Sequence, residues 1–307
     1  MTVNGTPGPH FLNCSVLGSP LTSNLQPWYI AAGVVTGLSC LLGVPANFTI
    51  IVQLSRHLRG SSMTQRLFFN LAVSDLLCLI YLPFGVFIFY NEICLANGLY
   101  QFLFYFFIFC TTTSLNILVL ISIQRYYQVL HPEKWAKVQR TWQRILLSSV
   151  WMLGALMAFP AIFMTQARNE QISGSSCSVQ GIKPELEVFY ISFVVFCYVA
   201  LFSLYLLLVK GVKKRQMSDR KQPRATKIFI RIIAVYLVTG FLPLISRMYY
   251  VAALFSKSDT MLCTSKIMTF VECFYFFNHC MNPFLYFYAS RRSKDSDRNN
   301  QLLNDYA

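Results

Sequence analysis

Seven times along the chain a long apolar run is followed by a short polar or basic stretch. The runs cover approximately residues 28–54, 64–90, 97–130, 143–165, 184–210, 226–255 and 266–289. Each supplies the roughly 20 mostly apolar residues that a helix needs to cross a bilayer. They are too long and too uniformly apolar for the alternating strands of a membrane barrel. Prolines punctuate five of them, at Pro45, Pro83, Pro160, Pro243 and Pro283, and each removes one backbone hydrogen bond and permits a kink. The pattern predicts an all-α fold, a bundle of seven transmembrane helices.

Composition agrees. Of 307 residues, 55% are hydrophobic and only 12% charged, against about 25% charged in soluble domains. A net charge of +14 raises nucleic acid as a partner, but the basic residues fall in short clusters between apolar runs and form no continuous basic face. They set topology instead. Arg168, Lys183, Arg247, Lys257 and Lys266 lie on one side, and the remaining lysines and arginines gather on the other. The positive-inside rule puts that richer side, with the C-terminus, in the cytoplasm and the N-terminus outside. Residues 1–27 show no basic stretch leading into an apolar core, so the first span is expected to act as its own insertion signal. The chain thus divides into an extracellular segment (1–27), a membrane domain (28–289) and a short cytoplasmic tail (290–307). Asn4-Gly5-Thr6 and Asn13-Cys14-Ser15 are glycosylation sequons on the outer side. Asn47-Phe48-Thr49 also matches, but it lies inside the first span.

The cysteines divide in the same way. Cys14, Cys94, Cys177 and Cys263 fall in outer segments, where disulfides persist, and four cysteines allow three pairings. Cys40, Cys78, Cys110, Cys197, Cys273 and Cys280 lie within spans and read as packing residues.

Polar groups inside lipid are costly and therefore functional candidates. The interior set is Asn47, Asp75, Asn116, Asn278, His279 and Asn282, with Ser114 and Cys110 nearby. A buried carboxylate needs partners or a cation. Asp75 with Ser114, Asn278 and Asn282 could supply hard oxygen ligands to Na⁺, or the same residues could form a hydrogen-bonded network between helices.

Six motifs, one per expected helix, resemble the fingerprint of rhodopsin-like (class A) G-protein-coupled receptors. They are Gly43-Val44-Pro45-Ala46-Asn47; Asn70-Leu71-Ala72-Val73-Ser74-Asp75-Leu76; Gln124-Arg125-Tyr126 with Val129-Leu130-His131-Pro132; Trp151; Gly240-Phe241-Leu242-Pro243; and Asn282-Pro283-Phe284-Leu285-Tyr286. The match runs from about Trp28 to Tyr288. The resemblance implies a multi-pass plasma-membrane receptor, not an enzyme, that passes an extracellular signal to a heterotrimeric G protein. By the same resemblance, Arg125 meets the G protein when the sixth helix swings out. Tyr205 and Tyr286 hold that open state, and Phe241 stands at the toggle position above Pro243. Asp75, Ser114, Asn278 and Asn282 match the family's allosteric sodium pocket, with no other cofactor expected.

Several positions depart from the family pattern. Gln124 replaces the usual acid beside Arg125, and Pro223 falls near where a second restraining acid often stands; a loosened arginine lock predicts raised basal signalling. Cys197 takes the place of the usual proline of the fifth helix, and Leu237 that of the usual phenylalanine of the sixth. Tyr100 stands where the outer cysteine of the third helix belongs. Cys94, six residues earlier, substitutes for it, and the expected pairs are Cys94–Cys177 and Cys14–Cys263. The tail lacks a palmitoylation cysteine and carries few hydroxyls beyond Ser290, Ser293 and Ser296, so arrestin recruitment is expected to be modest.

Phe104, Phe107, Ile108, Thr111, Leu244, Met248, Met268 and Glu272 are expected to wall the ligand pocket, with Arg168 and Arg247 near its rim. Phe107 stands where amine receptors carry an aspartate, which argues against a biogenic amine. Arginine forks suit carboxylates, so an acidic lipid or a peptide chemoattractant is expected, whereas Glu272 points to a basic group on a peptide. Pro83, Ile123-Gln124-Arg125-Tyr126, His131-Pro132 and Arg247 look nearest the chemoattractant, leukotriene and hydroxycarboxylic-acid branch, which mostly couples to inhibitory G proteins. Two other readings compete. A transporter should show internal repeats and paired broken helices, and neither is present. A decoy that binds ligand without signalling is compatible with Gln124, whereas the retained Arg125, Tyr205 and Tyr286 argue against it.

Overall fold

The computed structural model describes residues 21–56, 61–90, 97–162, 165–172, 175–216, 224–256, 258, 261, 264, 270–271, 273–284 and 286. Six long helices account for most of them: α1 (Leu21–Ser55), α2 (Met63–Tyr90), α3 (Asn97–Leu130), α4 (Arg140–Ala158), α5 (Pro184–Gln216) and α6 (Arg224–Ser256). All six are long and apolar enough to cross a membrane. In the seventh run residues 270–271, 273–284 and 286 are helical and form α7.

Why these segments are helices follows from the solvent. In lipid every backbone N–H and C=O must find its partner within the segment, so the apolar runs coil regardless of the β-branched residues they contain. The outward faces are left apolar: Met152, Leu156, Phe196 and Val238 are each at least 67% exposed. A belt of such side chains is stable only against hydrocarbon. α3 is the exception. Its middle, Thr111 to Leu118, is buried all round, because it runs through the centre of the bundle against α2, α4, α5 and α6.

Helix ends carry local signals. Ser62 and Gln65 form a capping box at the start of α2: the Ser62 backbone N–H donates to Gln65 Oε1 (2.9 Å), and the Gln65 N–H to Ser62 Oγ (3.4 Å). After α3, Pro132 opens a single helical turn, Pro132–Ala136, as its fixed φ favours.

The expected third span coincides with α3, but others shift. α1 starts at Leu21, so the boundary drawn at Trp28 falls inside the helix, and Pro27 is accommodated within it. The fourth apolar run extends to Thr165, yet α4 ends at Ala158. A 3₁₀ turn follows at Phe159–Ile162, where Pro160 lacks the N–H to continue an α-helix. α5 runs on past the expected end of the fifth span at Lys210, through Lys213 and Lys214 to Gln216.

A feature the apolar pattern did not reveal is a two-stranded hairpin between α4 and α5. β1 (Thr165–Ile172) pairs antiparallel with β2 (Ser175–Ile182), with Glu170 opposite Cys177. The within-span cysteines Cys40, Cys78, Cys110, Cys197, Cys273 and Cys280 are all free thiols. Cys14, Cys94 and Cys263, the two sequons at Asn4 and Asn13, and the tail lie outside the described residues.

Side-chain hydrogen bonds pin the helices in register. Trp151 Nε1 in α4 donates to Asn70 Oδ1 in α2 (2.9 Å). Asn47 Nδ2 in α1 donates to the Gly43 carbonyl of its own helix (2.9 Å) and to the His279 carbonyl of α7 (3.0 Å). α1 can approach α7 that closely because Gly43 lacks a Cβ; one built there would overlap Leu79 and press on Cys280.

Candidate functional site

Three groups of functional side chains are stacked through the bundle. The outermost is a cavity of about 190 Å³ between α3, α5, α6 and α7. Four of its α3 walls, Phe104, Phe107, Ile108 and Thr111, were expected, as were Leu244 and Arg247 on α6. The surface is apolar except for one charged pair and a few hydroxyls. Arg247 meets Glu187 of α5 as a fork, Nη2 to Oε1 at 2.7 Å and Nε to Oε2 at 3.2 Å. The Glu187 side chain is 5% exposed and that of Arg247 36%, with the guanidinium also 5.1 Å from the centroid of the Tyr250 ring. Arg247 therefore stands at the rim as expected, but as half of an ion pair.

The floor of the cavity is built by tyrosines. Tyr198 of α5 reaches under α6 because residue 240 is glycine, where any Cβ would overlap the phenol oxygen. Tyr236 and Tyr275 share a hydrogen bond of 3.3 Å, and Tyr190 pairs with Thr111 at 3.1 Å. Among the described residues the Tyr198 hydroxyl has no hydrogen-bond partner.

Two expectations are corrected here. Phe241 is 57% exposed and Met248 50%, so both turn outward from the cavity. The α6 face that lines it is Gly240, Pro243, Leu244 and Arg247, spaced as one stripe of a helix. Each of the two outward residues follows a stripe residue by one position, hence by about 100°. Seating Gly240 over Tyr198 fixes this rotation. Arg168 lies in β1 opposite Val179, while Met268 and Glu272 fall outside the described residues.

The middle group surrounds Asp75, which is completely buried. Its Oδ1 accepts from Ser114 Oγ (2.9 Å) and faces His279 Nδ1 (2.7 Å); its Oδ2 accepts from Asn282 Nδ2 (2.8 Å). Ser114 Oγ also lies 2.8 Å from Ser74 Oγ, whose hydroxyl donates to the Cys110 carbonyl. Asn278 is not part of this cluster: its Oδ1 is held by the Thr239 hydroxyl of α6. One carboxylate thus gathers α2, α3 and α7, and Asn278 joins α7 to α6.

The innermost group lies at the cytoplasmic end of α3. Gln124 is buried and turned towards α2, donating from Nε2 to Thr64 Oγ1 at 3.0 Å. Arg125 Nη1 donates to Gln128 Oε1 one turn along the same helix (3.3 Å). The Tyr126 ring packs near His131 (5.7 Å between centroids), and Tyr286 of α7 packs on Phe68 of α2 (5.1 Å). Tyr205 is half-buried on α5, and Pro283 is buried on α7.

Sequence reasoning missed Glu187, Tyr190, Tyr198 and Tyr275 as cavity residues and His279 as Asp75's partner. Glu187 was readable as an acid near the outer end of an apolar span. The tyrosines were not, since phenols scattered through spans read equally as packing.

Comparison with known proteins places these features in a family. Residues 46–286 match the model of the "7 transmembrane receptor (rhodopsin family)". The chain is 26% identical to somatostatin receptor type 2 of Sus scrofa, over 95% of this chain and 84% of that protein. It is 24% identical to the type-1 angiotensin II receptor of Gallus gallus (90% and 81%) and 26% identical to C5a anaphylatoxin chemotactic receptor 1 of Danio rerio (94% and 84%). A family match over most of the chain means that this protein belongs to the rhodopsin family of seven-transmembrane receptors.

Proposed function

We propose that this plasma-membrane receptor answers a peptide ligand bearing charge of both signs at its inserted end, and that it signals through inhibitory G proteins. The observation that carries this reading is the Glu187–Arg247 fork at the mouth of an apolar cavity. A carboxylate alone, as on an acidic lipid, would take Arg247 and leave Glu187 buried and unpaired. Breaking a fully buried pair from one side costs about 3–5 kcal/mol; with Arg247 36% exposed the cost here is smaller, and it falls on the buried Glu187 carboxylate. A peptide end presenting both an acid and a base can replace both partners together. The volume suits the tip of such a ligand, being below the range of about 300–1,000 Å³ that holds a whole small molecule. The relatives named as receptors for somatostatin, angiotensin II and the C5a anaphylatoxin lean the same way.

The coupling partner follows from the chemoattractant resemblance. The buried Gln124, bonded to Thr64 and carrying no charge, supports raised basal signalling.

The test is a screen of short peptides and acidic lipids for displacement and signalling on the wild type, Arg247→Ala and Glu187→Gln. A peptide agonist should lose at least about tenfold in affinity in both variants, the equivalent of about 1.4 kcal/mol. An agonist indifferent to both substitutions contradicts the reading. An acidic lipid weakened by Arg247→Ala but strengthened by Glu187→Gln would establish the lipid instead.

A further inference from the structure

The family resemblance implies a sodium ion at Asp75, with Ser114, Asn278 and Asn282 as further ligands. A cation there needs oxygen lone pairs turned inward, and the side chains facing Asp75 turn nitrogens and a hydroxyl towards it instead. Asp75 Oδ2 faces the amide nitrogen of Asn282 at 2.8 Å. Oδ1 faces both the Ser114 hydroxyl at 2.9 Å and His279 Nδ1 at 2.7 Å. The Asn278 carboxamide oxygen is taken by Thr239 on another helix. Asp75, Ser114, Asn278, His279 and Asn282 are all buried, so nothing here is a surface contact that opens on its own.

His279 decides the matter. Its ring nitrogen can sit this close to a carboxylate oxygen only with a hydrogen between them. That holds for the neutral Nδ1–H form, for the doubly protonated form and for a protonated Asp75 donating to a bare Nδ1 alike. In each case the imidazole occupies the place beside Oδ1 with a group that is covalently part of α7.

We infer that His279 stands in for the sodium ion: the receptor closes its buried carboxylate with its own side chain and is insensitive to sodium. α2 and α7 are then joined here by a hydrogen bond, and any movement that separates them breaks that bond without releasing an ion.

Thermal unfolding of the purified full-length receptor tests this without requiring a ligand. The melting temperature is measured in NaCl, KCl and choline chloride of equal concentration, alongside ²³Na NMR for binding. The wild type should melt at one temperature in all three salts and show no saturable sodium signal. His279→Ser, which opens room beside Asp75 and adds an oxygen, should gain a sodium-specific rise of about 3 °C once sodium exceeds its Kd tenfold. His279→Asn serves as a second variant should the first not fold. A sodium-specific rise or saturable binding in the wild type, lost in Asp75→Asn, overturns the inference. A folded His279 variant that remains blind to sodium also overturns it, since the imidazole would then not be what excludes the ion.

Discussion

At the scale of single residues, contacts decide what the motif letters alone leave open. Gly240 is a motif position whose role emerges only from packing: it lets the Tyr198 phenol lie under α6. Gly240→Ala should therefore destabilise the receptor by about 1–3 kcal/mol, the usual cost of overpacking. It should also weaken ligand binding by shifting the cavity floor, and a thermal melt with a binding isotherm checks both. If Gly240→Ala melts with the wild type, Tyr198 is not wedged as described. Gln124 gives a second prediction. It is buried and donates to Thr64 on α2, so it offers no charge to its neighbour Arg125. Gln124→Asp should lower ligand-independent nucleotide exchange, the carboxylate being free to hold the arginine. Equal basal rates in wild type and variant would remove the loosened lock from the account.

At the scale of elements, the Trp151–Asn70 bond between α4 and α2 is typical of what registers the bundle. Interhelical hydrogen bonds in membranes average about 0.6 kcal/mol. Trp151→Phe should thus lower stability only slightly, because the ring contact with Phe109 (5.7 Å between centroids) survives. A loss above about 2 kcal/mol would mean that the indole does more than bond Asn70. Much of this level is legible in the sequence, since apolar run length and the absence of water dictate helices and the charge bias dictates their direction. The illegible parts have physical causes. The β1–β2 hairpin is largely polar and carries no apolar alternation to betray it. The 3₁₀ turn at Phe159–Ile162 sits inside an apolar run, so hydropathy overruns the end of α4. The rotation of α6 is set by packing at Gly240, which is why Phe241 and Met248 face outward although the family resemblance puts one at the toggle and the other in the pocket wall. The Asp75 cluster was legible as a set of polar residues. Which of them turn oxygens and which turn N–H groups towards the carboxylate was not, and that difference separates a cation site from a closed network.

At the scale of the whole molecule, the three groups lie in series from the outer mouth to the cytoplasmic end. The cavity rests on α3, α5, α6 and α7; the Asp75 cluster ties α2, α3 and α7; and Arg125 closes the inner end of α3. A ligand that separates Glu187 from Arg247 acts on the outer ends of α5 and α6. The inner segments of the same helices flank α3 near Arg125, where Val129, Leu208 and Val212 pack in one small apolar cluster. Such a lever is effective only if its far end meets a G protein, and this distinguishes a signalling receptor from a decoy of the same shape. The most direct measurement is nucleotide exchange on purified inhibitory Gα with βγ, driven by the receptor in lipid nanodiscs, for wild type and Arg125→Ala. The wild type should accelerate exchange, measurably even without ligand, and Arg125→Ala should abolish the acceleration while keeping the melting temperature of the wild type. No acceleration by a folded, ligand-binding wild type, on inhibitory or any other Gα, would contradict the account.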